Sequence, residues 1–498
     1  MDGRVIMEVA IMKWFEVTLV LISLAAAGLV IFGWRNRRFD AGLFTLLTLS
    51  LVVHAAMGLF RFQVIPLYAV GAALIIVLLL RLVRRKPKAH RRLLAGRIAL
   101  SIVVVALTAS AIYLDRLLPV FTVPEPTGSY AIGTVVRHLT DETREETLGD
   151  EPGGKRELMV NVWYPVDPAA AKGKPREHYP EELGEAVSLV FDIPKQLFGY
   201  LTTIPTHVVP EVELAPNEAG YPVLLFSPGI RSTRFQSMTA IEELVSRGYI
   251  VVGMDHPYTS AKVAFPDERS TYYKPDPEFP TSQALYDHNV KGVGIRAADA
   301  RFVLDTLTAW NAQGTGGLFE GKLDLDRVGI FGHSYGGATT AEALALDHRF
   351  KAGVSLEGGF WGSVAHNGLQ QPFMYMMTGG TAKSLDTSET NKDKVFFEEF
   401  ATDLDFVMKH SSSDRYYLTV DKLFHQSFTE IPLLSPALFA KDIDPFHNID
   451  ITRSYVAAFF DYYLKGEKQP LLDGPSPEFP EVEYDENYTK RDIWLYNR

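Results

Sequence analysis

The chain has 498 residues, 47% of them hydrophobic and 22% charged, and carries a net charge of −11. Residues 1–121 hold fifteen Lys/Arg and five Asp/Glu, so they carry +10 and the remainder −21. The acidic remainder argues against nucleic acid as a partner, because phosphates would be repelled. With no cysteine, the chain can hold no disulfide, thiol nucleophile or cysteine-ligated metal.

The length suggests two or three domains, and the first elements are four apolar runs at 17–34, 41–60, 64–80 and 98–114. Each approaches the roughly 20 helical residues that a bilayer requires, and little polar sequence separates them. Basic residues set their orientation. Arg35, Arg37 and Arg38 follow the first run, and Arg61 alone separates the second from the third. Arg81, Arg84, Arg85, Lys86, Lys88, Arg91, Arg92 and Arg97 lie before the fourth. The first and third loops are therefore expected on the cytoplasmic side of a cell membrane, with the N-terminus and all that follows the fourth run on the other side. His54, inside the second run, reads as a helix-packing residue. The expected organisation is a four-helix transmembrane region at 1–121, a Pro-rich linker at 122–128 and a catalytic domain at 129–498. The linker's "PVFTVPEPTG" reads as stiff and extended.

Eight β-rich runs follow in chain order: "AIGTVVRHL", "ELMVNVWYP", "PVLLFSP", "YIVVGMD", "RVGIFGH", "KAGVSLE", "PFMYMMTG" and "RYYLTVD". The middle ones are almost continuously apolar, as strands covered on both faces must be. Helical patterns lie between several of them, in "QSMTAIEELVSRG", "IRAADARFVLDTLTAW", "YGGATTAEALAL" and "ITRSYVAAFFDYYLKG". The alternation predicts an α/β domain built on a mostly parallel sheet.

Within that pattern, "RVGIFGHSYGGATTAEALAL" reads strand, Gly-x-Ser-x-Gly, helix. The spacing predicts a nucleophile elbow, in which Gly332 and Gly336 remove side chains that would collide and Ser334 projects its hydroxyl over the sheet edge. The Tyr335 amide at the helix start can stabilise an oxyanion. A serine hydroxyl needs a base, and that base a carboxylate. His425, on the loop after "YYLTV", is the best-placed base, with His447 in reserve. Glu357 ends the strand after the elbow helix, and Asp386, beyond "PFMYMMTGG", is the alternative acid. The second oxyanion donor is expected from "LLFSPGIRS", where Gly229 permits close approach and the Ile230 amide points inward.

These segments resemble the platelet-activating-factor acetylhydrolases of the plasma and type II intracellular kind. The resemblance runs through "PTGSYAIGT", "VNVWYPVD", "LLFSPGIRS", "GHSYGG", "AGVSLEGG" and "LFHQSF", over most of residues 126–430. It implies an α/β-hydrolase fold with a mostly parallel eight-stranded sheet, preceded here by the all-α membrane region. It also implies calcium-independent cleavage of short or oxidised sn-2 acyl chains from phospholipids. By position, Ser334 matches the family nucleophile, His425 its base, and Ile230 and Tyr335 its oxyanion amides. Glu357 falls where the family has aspartate, and "SPG" replaces a histidine-containing oxyanion loop.

The expectation is thus a membrane-anchored serine esterase that takes an ester or phospholipid, sits in a lipid bilayer and needs no metal or organic cofactor. A serine peptidase, an acyltransferase and a silent hydrolase fold used as a binding module remain alternatives. The apolar segment 188–207, broken by Pro194 and Pro205, is suited to cover an acyl pocket, to lie among lipid headgroups or simply to pack on the sheet. Arg296 and Asp299 read as a structural ion pair or capping group.

Overall fold

The computed structural model describes residues 3–32, 34, 36–57, 60–83, 90–149, 153–312, 314, 317–386 and 394–492. Arg35, Arg84, Arg85, Lys86 and Lys88, on which part of the orientation rests, lie outside the described residues, as do the side chains of Arg91 and Arg92. The chain forms two units. One comprises Met1–Thr122, Pro194–Pro205 and Leu434–Leu438, the other Val123–Ile193, Thr206–Leu433 and Phe439–Arg498.

The first unit contains helices α1 (Gly3–Ile31), α2 (Arg37–Ala56), α3 (Ile65–Val83) and α4 (His90–Leu117). Each expected apolar run overlaps one of them, and the four segments Trp14–Ile31, Arg37–Ala56, Phe62–Val83 and Ala95–Leu117 are long and apolar enough to cross a membrane. Leu19, Ala26, Ala27, Leu47, Val70, Leu74 and Val104 pack inward. Leu21, Leu49, Val52, Ile76, Ile102 and Val105 point outward and are exposed. An apolar exterior around a small core suits lipid as solvent and would be costly in water.

Buried charged groups in this unit find partners. Arg61 donates to Glu16 and Asp115, and Arg81 pairs with Asp40 at 3.3 Å. His54 is buried with Nδ1 2.8 Å from the Tyr68 hydroxyl, which is a packing arrangement. The 3-10 helix Lys195–Thr203 also belongs to this unit. It packs on the 3-10 turn Phe62–Val64 and buries Phe198, Tyr200 and Leu201. The Tyr200 hydroxyl donates to the Leu434 carbonyl at 3.4 Å. Residues 194–205 of segment 188–207 thus belong to the helical unit.

Among the described residues the second unit is built on twelve strands: β1 (Ala131–Glu145), β2 (Lys155–Val166), β3 (Val208–Pro210), β4 (Tyr221–Ser227), β5 (Ile250–Asp255), β6 (Lys262–Ala264), β7 (Ser270–Tyr272), β8 (Leu323–His333), β9 (Phe350–Leu356), β10 (Phe373–Thr378), β11 (Arg415–Val420) and β12 (Val482–Tyr484). Ten form one sheet in the order β12-β11-β10-β9-β8-β4-β5-β2-β1-β3, and β6 and β7 form a separate hairpin. The run from β11 to β5 is parallel throughout. All eight expected strands are present. The sheet is wider than the eight-stranded expectation because two three-residue strands, β3 and β12, add at its edges.

Side-chain alternation along β8 divides two helical layers. Val328 and Ile330 join the core that includes Ala300, Val303 and Leu304 of α5 (Ser282–Asn311) and Ala341 and Leu344 of α6 (Tyr335–Leu346). On the other face a Cβ at Gly329 would meet Phe460 of the helix Pro445–Lys465, and Phe331 packs 6.1 Å from Phe460. Helix α5 begins thirteen residues before the expected "IRAADARF" run, capped by Thr281, which accepts from the Ala284 amide at 3.1 Å. Its first turns, "SQALYDHNVKGVG", lack an apolar stripe, so periodicity did not reveal them.

The buried charges depart from expectation. Asp299 does not pair with Arg296. It accepts from Arg156 Nη2 at 2.7 Å and His256 Nδ1 at 2.8 Å, and lies 2.8 Å from Arg144 Nη2. Burial opposes its charge, but Arg156 outweighs burial and holds the carboxyl well below the usual range. Arg296 instead donates to the Pro228 carbonyl at 2.7 Å and to Thr259 at 3.0 Å. The end of the linker is fastened as well, with the Thr127 amide donating to Glu243 at 2.8 Å and the Gly128 amide to Ser246 at 3.0 Å.

His207 illustrates how burial and pairing compete. Burial disfavours its charged form, but Glu242 at 2.7 Å and Glu125 at 3.4 Å outweigh that penalty and raise the imidazole to about 9. A raised histidine stabilises the fold fully below its unfolded pKa of about 6.5, and that contribution is lost as pH rises through about 9. The fall in thermal midpoint between pH 7 and pH 10 should therefore be smaller in His207→Gln than in the parent chain, read by intrinsic fluorescence. Parallel pH profiles would contradict the pairing.

Candidate active site

The turn between β8 and α6 is set by what cannot be there. A Cβ on Gly332 would overlap the Gly336 and Ser227 carbonyls, and one on Gly336 would overlap the Ser227 and Pro228 carbonyls. Two glycines thus let the elbow lie against the end of β4. Between them Ser334 sits at φ 55° and ψ −122°, a strained conformation for a residue with a Cβ. Its amide donates to the Leu356 carbonyl at 2.8 Å, and its carbonyl accepts from Gly337 at 2.8 Å. Ser334 is half-buried.

Glu357 follows β9 and is also held at positive φ, 58°. Its amide donates to the Met376 carbonyl at 2.8 Å, and Oε1 accepts from the Thr378 hydroxyl at 2.9 Å. Oε2 lies 3.1 Å from His425 Nδ1, close enough to pair although not aligned for a linear hydrogen bond. His425 opens the 3-10 helix His425–Phe428 after β11, and its imidazole is about one-third exposed. The ring lies tilted against His333, the residue before Ser334, at 4.7 Å between centroids. The structure therefore brings Glu357 and His425 together beside the elbow. Among the described residues the Ser334 hydroxyl makes no hydrogen bond to His425. Such contacts are commonly long before substrate arrives.

The other expected residues divide. His447 lies 3.1 Å from Glu481 in a separate ion pair. Asp386 ends the helix Gly379–Asp386, and its side chain lies outside the described residues.

The loop after β4 runs against the elbow: a Cβ on Gly229 would sit 3.4 Å from the Ser334 Cβ. Among the described residues, neither the Ile230 nor the Tyr335 amide donates to a protein acceptor. Two free N–H groups beside one hydroxyl are what an oxyanion hole requires. Beside them Ile230 and Trp361 pack against Val293, Tyr335 and Ala338 in a small apolar cluster. The Tyr335 ring lies under Arg296 and donates its hydroxyl to the Asn289 carbonyl at 3.2 Å.

Sequence reasoning missed the residues that fix this loop. Ser227 pairs with His256 Nε2 at 3.0 Å, and His256 Nδ1 with Asp299 at 2.8 Å. All three are fully buried, so this Ser-His-Asp set is structural. Burial first, then the Arg296 charge, pushes the His256 imidazole down to about 3, so it stays neutral and donates once. Gln236 and His333 were missed too. Only a three-dimensional contact could have singled them out. No group of three or more His, Asp or Glu able to hold a metal occurs among the described residues.

Comparison with known proteins agrees with the resemblance. The family described as "Platelet-activating factor acetylhydrolase, isoform II" matches residues 119–291 and 313–469. A protein from Arthroderma benhamiae named "Probable 1-alkyl-2-acetylglycerophosphocholine esterase" is 25% identical over 418 residues, covering 76% of this chain and 97% of its own. "Platelet-activating factor acetylhydrolase" from Gallus gallus is 22% identical over 352 residues, covering 61% and 77%. The solved structure of a ferulic acid esterase from Streptomyces cinnamoneus superposes with a TM-score of 0.58 at 27% identity, over 74% of this chain and all of that one. With an α/β-hydrolase sheet, an esterase among its structural neighbours and a family match across more than half its length, this ester-hydrolysing chain belongs to the platelet-activating factor acetylhydrolase, isoform II, family.

Proposed function

We propose that the protein is a membrane-anchored serine hydrolase that cleaves short-chain carboxylic esters, including sn-2 acyl groups of phospholipids, through an acyl-enzyme. The observation that carries the reading is the strained Ser334 at a bare glycine elbow, with the paired His425 and Glu357 beside it.

In this mechanism Ser334 Oγ attacks the acyl carbonyl while His425 Nε2 takes its proton. Glu357 accepts from Nδ1–H, which fixes the imidazole tautomer and supports the charge that forms. The Ile230 and Tyr335 amides receive the oxyanion, and the first-turn N–H groups of α6 add a favourable potential. The protonated His425 then releases the alcohol, and water repeats the sequence to free the acid. The names of the relatives favour a glycerophospholipid with a 2-acetyl group as substrate. The catalytic domain, residues 129–498, faces away from the cytoplasm, and residues 1–121 anchor it in the cell membrane, because the basic residues concentrate after the first and third helices.

The full-length protein should hydrolyse p-nitrophenyl butyrate and label with a fluorophosphonate, whereas Ser334→Ala should lose on the order of 10⁴ in turnover and all labelling. Retained turnover in that variant would remove the assignment. Glu357→Gln should lower kcat by at least about a hundredfold and Asp386→Asn should leave it within a few-fold; the reverse order would make Asp386 the acid. Protease added to intact cells or spheroplasts should digest the catalytic domain, and full protection would reverse the orientation.

A further inference from the structure

The Gly-x-Ser-x-Gly pattern specifies positions 332, 334 and 336 and leaves 333 open. In the structure His333 is buried and lies in the middle of a hydrogen-bond chain. The Gly229 N–H donates to Gln236 Oε1 at 2.7 Å. The Gln236 amide nitrogen then faces His333 Nδ1 at 3.0 Å, and His333 Nε2 lies 2.7 Å from the His425 carbonyl oxygen.

The polarity of this chain is forced from its ends. A backbone N–H only donates, so Gln236 must present its oxygen to Gly229 and its NH₂ to the imidazole. A backbone carbonyl only accepts, so the single ring proton must sit on Nε2, leaving Nδ1 to accept from Gln236. Both ends thus require one amide orientation and one neutral tautomer. Burial first, then the charge of His425, pushes the His333 imidazole down to about 3, so the ring stays neutral. Among the described residues His425 is the one titratable group whose charge acts on it, and Phe428 closes another side at 6.4 Å.

We propose that Gln236 and His333 are positioning residues that hold the oxyanion loop and the base loop in one arrangement around Ser334 through this directional chain. The inference rests on the assignment of Ser334, His425 and Ile230 given above. Gly229 immediately precedes Ile230, and His425 contributes its carbonyl to the chain and its ring to the proposed chemistry. A rotation at either end therefore displaces an oxyanion donor or the base. Pro228 is tied separately through Arg296, so losing Gln236 should loosen the amide end of the loop without releasing the loop from the sheet.

The test is steady-state hydrolysis of p-nitrophenyl butyrate by the full-length protein across pH 6–9. Gln236→Met removes both bonds and should lower kcat on the order of 10- to 100-fold, with KM changed less than about threefold and a deficit that is flat with pH. Gln236→Glu still accepts from Gly229, but its second oxygen faces the Nδ1 lone pair, and the pair closes only by taking up a proton. Its kcat relative to the parent should be highest at pH 6 and fall steadily towards pH 9. That ratio is read within one variant, so it does not depend on how much protein folds. His333→Gln can accept and donate as the imidazole does and should recover most of the rate, whereas His333→Phe keeps the ring contact alone and should not. The proposal is overturned if Gln236→Met stays within twofold of the parent kcat, if the Gln236→Glu ratio is independent of pH, or if His333→Gln is no better than His333→Phe. Ser334→Ala run alongside separates the two failures. Turnover there removes the serine assignment itself, while a silent Ser334→Ala beside a parent-like Gln236→Met removes only the positioning chain.

Discussion

The site depends on a backbone-to-backbone approach. The β8–α6 turn lies so close to the end of β4 that neither Gly332 nor Gly336 has room for a Cβ, the Ser227 carbonyl occupying the space in both cases. Because β4 and β8 are neighbours in the sheet, that approach places the loop after one strand beside the serine after the other. The Ser334 hydroxyl and the amides proposed to hold the oxyanion are then brought together by strand order, before any side chain takes part. Side chains hold the approach in place. Ser227 is tied through His256 to Asp299, and Asp299 to Arg156, in a buried hydrogen-bonded chain that ends in an ion pair. Groups of that kind are stable in an interior only when every member has its partner, so the arrangement tolerates little movement.

The fold and the site were legible to different depths. The eight long strands could be read because burial on both faces leaves a continuous apolar signature, which β3 and β12, at three residues each, are too short to carry. The nearness of His425 and Glu357 to the Ser334 elbow could be expected because a nucleophile, a base and an acid are specific residue types whose order in the chain is constrained, and their roles stay a proposal. Arg296 and Asp299 were misread for an instructive reason. They stand three apart on one helix, which suggests a pair, yet each finds its partner on a different segment. Gln236 and His333 were illegible because their meaning lies in a bond spanning 97 residues of sequence. Glutamine and histidine carry no pattern of their own.

The helical unit has four segments long and apolar enough to cross a membrane, with an apolar exterior. Its buried Arg61 is paired with Glu16 and Asp115 from distant positions. A buried charge left alone is costly, so the three together tie α1, the connection before α3, and α4. Read from the sequence, Arg61 was only a loop residue separating two apolar runs. In the structure it is a buried clamp.

The helical unit is not one stretch of sequence. Pro194–Pro205 and Leu434–Leu438 are parts of it, so the chain passes between the two units five times. During synthesis the four helices emerge first, but the bundle they begin stays unfinished until residue 438 has left the ribosome. Most of the sheet has been made by then. The last piece of the helical unit is therefore supplied only after β11 has been made, so neither unit has all of its sequence before residue 438.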